Sequence, residues 1–163
     1  MNQACENIVA KASGYGPLLT EAVQEIFTDM IPMAVSEGEI LRQRPQVFRR
    51  NFSGLLGFSG DIRGIVGIHC PEEVGQAVYQ AMLGMPEAGE DGEVRDMVGE
   101  LVNMLAGGLK IRIQEGGRTM ALAVPQLFSG GEYQIYLPAG GTWMGQVYRT
   151  DRGPFIVELK IFD

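Results

Sequence analysis

Apolar residues recur at helical spacing in three stretches of the chain. The first follows Pro17 and stops at Pro32; its apolar positions are Leu18, Leu19, Ala22, Val23, Ile26, Phe27, Met30 and Ile31. A shorter stretch begins with the acidic turn 71–73 and closes at Gly84. The third covers 91–110 and separates its apolar and polar sides most clearly. The pattern predicts two long helices with a shorter helix between them.

Alternating apolar and polar positions predict strands in most of the remaining chain. They fall near 39–44, 47–58, 62–69, 119–124, 132–137, 142–150 and 154–162. Turn sequences at 59–61 and 151–153 predict two hairpins. Because each half of the chain has a long helix and later a hairpin, we expect an α+β fold. Two long helices and one shorter helix would pack on a mostly antiparallel sheet with internal pseudo-two-fold symmetry.

The beginning of the chain lacks this periodicity. Residues 1–16 contain Gly14 and Gly16, which predicts a loose lead-in or a frayed helix that ends near Pro17, with order beginning at that proline. The rest, 17–163, is long enough for one domain with a sizeable core, since 45% of the 163 residues are hydrophobic. The acidic segment 85–92 is interpreted as a flexible loop before the third helix.

Charge and cysteine usage exclude several classes of protein. A net charge of -7 argues against nucleic acid or an anionic membrane as the main partner. Four arginines alternate with apolar residues, which favours the solvent-facing side of a strand over a docking patch; they are Arg42, Arg44, Arg49 and Arg50. No signal peptide or membrane-spanning run is recognisable, and Cys5 and Cys70 do not form a disulfide framework. We therefore predict a cytoplasmic protein.

Common catalytic and metal-binding patterns are missing from the sequence. His69 is the only histidine, and a structural or surface role is favoured over catalysis. One histidine and two distant cysteines cannot supply the roughly four ligands of a structural zinc site. Glycines inside the second and third strands are better explained by a closely packed helix than by nucleotide binding; they are Gly54, Gly57, Gly64 and Gly67. The sequence predicts no cofactor bound by this chain.

The third helix carries the most informative set of polar residues. At about 100° per residue, these positions share an arc of roughly 80° opposite the apolar side. They are Asp96, Glu100, Asn103, Gly107 and Lys110. One side of this helix is predicted to be core and the other to be open to a partner. Taken alone, a Glu and an Asn on a polar helix face are most simply solvated surface residues.

The wider sequence context changes this interpretation. Segment 91–110 closely resembles the signature helix of the CheC, CheX and FliY family of chemotaxis phosphatases, specifically its CheX branch. The resemblance extends to 58–64 with the apolar strand after it, to 71–73 and 82–84, and to the terminal strands around Asp151 and Gly153. It covers roughly residues 17–163.

The resemblance implies a phosphatase that hydrolyses the aspartyl phosphate of a CheY-type response regulator. In that role Asn103 would hold the attacking water in line, and Glu100 would pair with the regulator's active-site lysine. Asp96, Gly107 and Lys110 would contact the phosphorylated receiver domain. Mg²⁺ would be held by the regulator and not by this chain. A homodimer formed through the sheets is expected on the same ground.

Two departures from the family pattern and two alternatives remain. Related CheC and FliY proteins carry a second Glu-x-x-Asn on the first helix, whereas this chain has Glu21 followed by Gln24, so one site per chain is expected. Many relatives have a polar residue in place of Gly108. The first alternative is a non-catalytic adaptor that docks a phosphorylated receiver domain or a flagellar switch component. The second is a sensory or scaffold domain that makes its contacts through the first helix.

Overall fold

The computed structural model describes residues 3–162, with side chains described from Gly14 onward. Within that range, three helices pack on one face of a seven-stranded sheet. The helices are α1 (Gln3–Glu25, continued by a π-helical turn Ile26–Met30), α2 (Glu72–Leu83) and α3 (Asp91–Glu115). The strands are β1 (Ser36–Leu41), β2 (Val47–Gly60), β3 (Arg63–Pro71), β4 (Met120–Leu122), β5 (Gln126–Gln134), β6 (Thr142–Thr150) and β7 (Gly153–Phe162).

The strand order has an internal two-fold pattern. The sheet runs β1-β6-β7-β3-β2, and both β4 and β5 pair with the outer side of β2. All the pairings among the described residues are antiparallel. Exchanging β1 with β4 and β5, β2 with β6, and β3 with β7 reproduces the same order in reverse. The predicted α+β fold with pseudo-two-fold symmetry is therefore confirmed.

The first helix begins earlier than the sequence predicted. It runs through Pro17 without a break, so the prediction that the helix starts at that proline is wrong. The turn before the proline contacts the rest of the fold, because Arg118 donates to the hydroxyl of Tyr15 and Gly16 lies against Met144. Such contacts offset the hydrogen bond that proline removes from a helix. Residues 1 and 2 of the expected lead-in lie outside the described residues.

The other helix ends follow their local sequence. α2 ends at Gly84, whose φ of 64° is the left-handed conformation that glycine adopts at little cost. At the start of α3, Glu90 and Glu93 form a reciprocal capping box, in which each side chain accepts a backbone N–H of the other residue. The loop predicted for 85–92 is confirmed for 85–90, whereas residues 91 and 92 already belong to α3. No helix among the described residues is long and apolar enough to cross a membrane.

Two predicted strands are shifted along the chain. The strand expected at 132–137 is β5, Gln126–Gln134, which pairs with β2 from Val47 to Leu55. Gly130 and Gly131 contribute no side chains to the alternation, which is why the pattern alone did not find this strand. The strand expected at 39–44 is β1, which ends at Leu41. The hairpins β2–β3 and β6–β7 are both confirmed.

Close packing of α3 on the sheet depends on two glycines. A Cβ on Gly54 of β2 would lie 3.0 Å from Cγ1 of Val102, and a Cβ on Gly99 would lie 2.9 Å from Cδ1 of Leu127. Both distances are shorter than ordinary side-chain contacts. The helix therefore lies directly against β2 and β5, which confirms the explanation predicted for Gly54. A Cβ on Gly64 or Gly67 would instead meet residues of β2 and β7, so close packing of a helix is the wrong explanation for these two glycines.

Candidate functional site

Helix α3 is amphipathic in the way its sequence predicted. Apart from Gly99, its buried positions are Val94, Val98, Leu101, Val102, Leu105, Ala106, Leu109 and Ile113. These side chains join the core between the helices and the sheet, while Met97 and Met104 are only partly buried at its margin. Both other helices and the strands β2 to β5 contact α3. One long side of α3 is thereby fixed to the fold.

The opposite side of α3 carries the candidate site. Asp96 and Glu100 are exposed, and Asn103, Gly107 and Lys110 are half-buried. Across the described part of the chain, no hydrogen-bond or ion-pair partner is present for any of the four polar side chains in this set. The structure therefore brings the five residues together on one open helix face, with their polar groups free.

Glu100 and Asn103 form the centre of this face. Residues three apart on a helix are neighbours, so the carboxylate and the carboxamide point into the same space. The carboxamide both donates and accepts hydrogen bonds, whereas the carboxylate only accepts and carries a negative charge. Such a pair can orient a water molecule and attract a cation from a partner.

The corresponding region of the first helix is engaged differently. Arg112 of α3 donates from Nη2 to Oε2 of Glu25 at 2.6 Å and from Nε to Oε2 of Glu21 at 3.2 Å. A Cβ on Gly108 would lie 3.1 Å from Cβ of Ala22, so the missing side chain lets the two helices approach. Glu21 and Glu25 of the first helix therefore hold this helix to α3 through Arg112. Gly108, which departs from the family pattern, has the same structural role.

A second polar cluster lies on the sheet face away from the helices and is buried. His69 donates from Nε2 to Glu158, and its Nδ1 lies 2.7 Å from Oγ of Ser53. Arg44 binds both carboxylate oxygens of Glu158, at 2.7 and 3.2 Å. Trp143 donates from Nε1 to Oε1 of Glu158 at 2.9 Å. We call these five residues the Glu158 cluster.

The Glu158 cluster is a structural network. A serine, a histidine and a glutamate in a row resemble a hydrolase triad, but Ser53, His69 and Glu158 are at most 2% exposed, so no substrate reaches them. The structural role predicted for His69 is confirmed. The prediction that Arg44 lies on the solvent-facing side of a strand is wrong, because this side chain is 13% exposed and paired with Glu158. Arg49 and Arg50 are exposed as predicted.

Sequence reasoning missed this cluster because its members are far apart in the chain. His69 is 16 positions from Ser53 and 89 from Glu158. A polar residue inside a mostly apolar strand was the available signal, since Ser53 and Glu158 both interrupt such strands. A residue with positive φ, Arg50 at 47°, also disturbs the alternation in β2.

The Glu158 cluster predicts a specific dependence of stability on pH. Burial raises the pKa of Glu158, but hydrogen bonds from His69 and Arg44 outweigh it and lower the pKa from 4.5 to about 2. A depressed native pKa adds stability above the unfolded value, and this stability is lost as the pH falls from about 4.5 towards 2. Denaturant midpoints of the wild type should therefore fall more steeply over that window than those of Glu158→Gln. Parallel pH profiles for the two proteins would contradict this account.

Metal binding and cysteine chemistry were the other possibilities considered. In the part of the chain that the structure describes, no three His, Cys, Asp or Glu residues are grouped to hold a metal ion. Burial raises the pKa of the Cys70 thiol to about 12, which leaves it protonated and unreactive at neutral pH. The side chain of Cys5 lies outside the described ones.

A protein-family model matches the part of the chain that contains the α3 face. The family model described as "Chemotaxis phosphatase CheX" matches residues 52–147, a segment that includes Glu100 and Asn103. A search of curated proteins finds no match.

Solved structures of similar shape come from several bacteria. Chemotaxis protein CheX from Vibrio vulnificus is 26% identical, with a TM-score of 0.78 over 88% of this chain and 96% of that one. A CheC-like superfamily protein from Shewanella sp. PV-4 is 24% identical, with a TM-score of 0.81 over 91% and 97%. A chain of the CheX-CheY-BeF3-Mg+2 complex from Borrelia burgdorferi is 17% identical, with a TM-score of 0.75 over 91% of this chain and 98% of that one. The last two likenesses concern the fold.

Proposed function

Because the chain belongs to the CheX family of chemotaxis phosphatases, we propose that it hydrolyses the aspartyl phosphate of a CheY-type response regulator. The observation that carries this proposal is the free pair Glu100 and Asn103 on the open face of α3, inside the segment that the family model matches. The partner would supply the phosphoaspartate, and this chain would supply groups that orient the reaction.

Asn103 is the residue that we assign to the attacking water. An acyl phosphate is already reactive, so holding water in line with the phosphorus can supply much of the rate without a strong base. The carboxamide of Asn103 is half-buried and has no partner among the described residues, so it can accept from the water and donate to a phosphoryl oxygen. The oxygen of water would attack phosphorus, the bond to the aspartate oxygen would break to regenerate the carboxylate of the regulator, and a proton of the water would leave with the inorganic phosphate.

Glu100 is assigned to docking and charge alignment. Its exposed carboxylate would pair with the active-site lysine of the regulator, and a hydrogen bond between two charged groups is stronger than a neutral one. We assign Mg²⁺ to the regulator. The Borrelia burgdorferi complex, which contains CheX, CheY, BeF3 and Mg²⁺, supports a partner and ion of this kind. Asp96 and Lys110 would make further polar contacts with the receiver domain.

Gly107 allows a test of the docking face that is independent of charge. Outside the backbone of its own helical turns, a Cβ at this position would meet no atom of the described residues within 4 Å, so Gly107→Ala should fold and gain about 0.5–1 kcal/mol of stability from helix propensity. If a receiver domain packs against this bare backbone, the added methyl group should weaken its binding. Thermal unfolding and titration with a regulator would measure the two effects. Raised stability with unchanged affinity would remove Gly107 from the interface.

The proposed activity is tested with phosphorylated regulators. Candidate CheY-type receiver domains would be phosphorylated with a small-molecule phosphodonor, and the decay of phosphate would be followed with and without this chain. We expect faster decay for at least one regulator. Phosphorylation-dependent binding with unchanged decay would favour the non-catalytic adaptor, and binding that survives Glu100→Ala with Asn103→Ala would favour contacts through the first helix.

We also propose a homodimer that forms through the sheets. Strand β1 at one edge and strands β4 and β5 at the other pair with only one neighbouring strand, so each edge has free backbone groups. Light scattering coupled to size exclusion would measure the mass. A mass of 17.8 kDa at micromolar concentration would contradict the dimer.

A further inference from the structure

Lys110 is the only cation among the five residues of the polar face of α3. Within the described part of the chain no acceptor binds its ammonium, although the residue is half-buried. A lysine of this kind packs its stem on the fold and keeps its charged head in solvent. No carboxylate occupies the positions three and four residues away, where a partner on the same helix would lie; they are Ala106, Gly107, Ile113 and Gln114.

The next basic residue of α3 is paired within the chain. Arg112 binds Glu21 and Glu25 of α1, and its side chain is 17% exposed. Two residues along a helix turn by about 200°, so Lys110 points away from α1. An ion pair inside this chain thus accounts for Arg112 and leaves the charge of Lys110 available to a partner.

The path from Lys110 towards Asn103 along the helix surface is open. Because the Cα–Cβ bond tilts towards the N-terminus of a helix, a long side chain covers the turn before its own Cα. That turn contains Gly107, where a Cβ would meet no described atom within 4 Å outside its own helical turns. The four-carbon stem spans about one turn of about 5.4 Å, and Asn103 is about 10.5 Å before Lys110 along the axis. The ammonium can therefore come within about one turn of Asn103.

The polar face of α3 has a charge direction. Asp96 and Glu100 place two negative charges on the N-terminal side of Asn103. Lys110 places a positive charge on its C-terminal side. Glu100 is about 15 Å from Lys110 along the axis, which is too far for a direct ion pair. A partner that covers this face therefore meets a negative end and a positive end, with the carboxamide between them.

A phosphorylated receiver domain is expected to have the complementary order of charges. Mg²⁺ takes oxygen ligands and is usually held by one or two carboxylates together with phosphoryl oxygens, so the regulator must hold acids beside its phosphoaspartate. Its lysine and its Mg²⁺ repel each other, so we expect them on different oxygens of the phosphoryl group. With the lysine at Glu100 and the phosphoryl group at Asn103, the carboxylates around Mg²⁺ fall on the side of Lys110. The reverse orientation would bring like charges together at both ends of the face.

We propose that Lys110 pairs with a carboxylate beside the Mg²⁺ site of the receiver domain and thereby fixes the direction in which the receiver lies along α3. This inference rests on the proposed function and deepens it, because it assigns the contact that Lys110 makes. Lys110 is a positioning residue, since it touches neither the phosphorus nor the attacking water. It strengthens the productive complex and disfavours the reversed one.

Substitutions of Lys110 test this pairing by affinity. Lysine, arginine, glutamine and glutamate have similar helix propensities, so Lys110→Arg, Lys110→Gln and Lys110→Glu should all fold. The probe is a CheY-type receiver domain loaded with beryllofluoride and Mg²⁺. We expect Lys110→Gln to raise its Kd about tenfold and Lys110→Glu to raise it further, whereas Lys110→Arg should stay within about threefold of the wild type.

The matched control is Arg152→Glu, in the turn between β6 and β7. Arg152 is exposed, and its substitution changes the net charge as much as Lys110→Glu does. It should leave Kd nearly unchanged, because only a local pair at Lys110 is at stake. Equal Kd values for the wild type and Lys110→Glu, or an equal loss from Arg152→Glu, would overturn the pairing.

Salt and turnover give readouts that a purely structural role of Lys110 would not move. Raising the salt concentration should weaken binding of the wild type more steeply than binding of Lys110→Gln, which lacks the charged pair. In dephosphorylation, Lys110→Gln should raise KM and change kcat less than about threefold, and a fall in kcat alone would contradict a positioning role. If the wild type binds the loaded receiver without hastening phosphate loss, the phosphatase proposal fails and the Kd values still decide the pairing.

Discussion

Asn103→Ala should reduce regulator dephosphorylation by about a hundredfold or more, because the attacking water loses the group that holds it in line. The fold should be little affected, since this carboxamide is half-buried and has no partner among the described residues. The rate of phosphate loss at saturating concentrations of this protein is the measurement that isolates the chemical step.

Binding provides the control for this result. Asn103→Ala should still bind a receiver domain loaded with beryllofluoride and Mg²⁺, because Glu100 and the rest of the α3 face remain. Glu100→Ala should instead weaken binding, since the lysine of the regulator loses its partner. If Asn103→Ala dephosphorylated the regulator as fast as the wild type does, the proposed mechanism would be ruled out, even if Glu100 proved important for docking.

Glu158→Ala should lower the free energy of unfolding by about 3–5 kcal/mol, because it leaves Arg44 and His69 buried without their shared acceptor. For a chain of 163 residues this corresponds to a fall in Tm of roughly 10 °C. Denaturant unfolding at neutral pH, where the carboxylate of Glu158 is charged, measures the loss.

An exposed ion pair provides the contrast. Glu132→Ala removes the partner of Arg49 on the surface and should cost no more than about 1 kcal/mol, because water screens both groups. If both substitutions lowered the free energy of unfolding equally, burial would not be the reason why the Glu158 cluster stabilises the fold. A large loss for Glu158→Ala together with normal dephosphorylation by the folded protein would separate this cluster from the α3 site.

The two polar clusters differ in how far the sequence alone could locate them. Glu100 and Asn103 are three positions apart on one helix, so helical periodicity is enough to place them on a common face. The Glu158 cluster joins residues from the loop after β1 and from β2, β3, β6 and β7. Arg44 shows the difference most clearly, because its local alternation predicts exposure and its contact with Glu158 buries it.

The sequence by itself determined the element types, the two hairpins, the apolar side of α3 and the shared face of Glu100 and Asn103. These depend on spacings within one element, where the backbone geometry relates neighbours directly. Only the tertiary structure decided the helix through Pro17, the true position of β5 and the burial of Arg44. Each of these results from contacts between residues distant in the chain, whose energy outweighs local preference and leaves little trace in local periodicity.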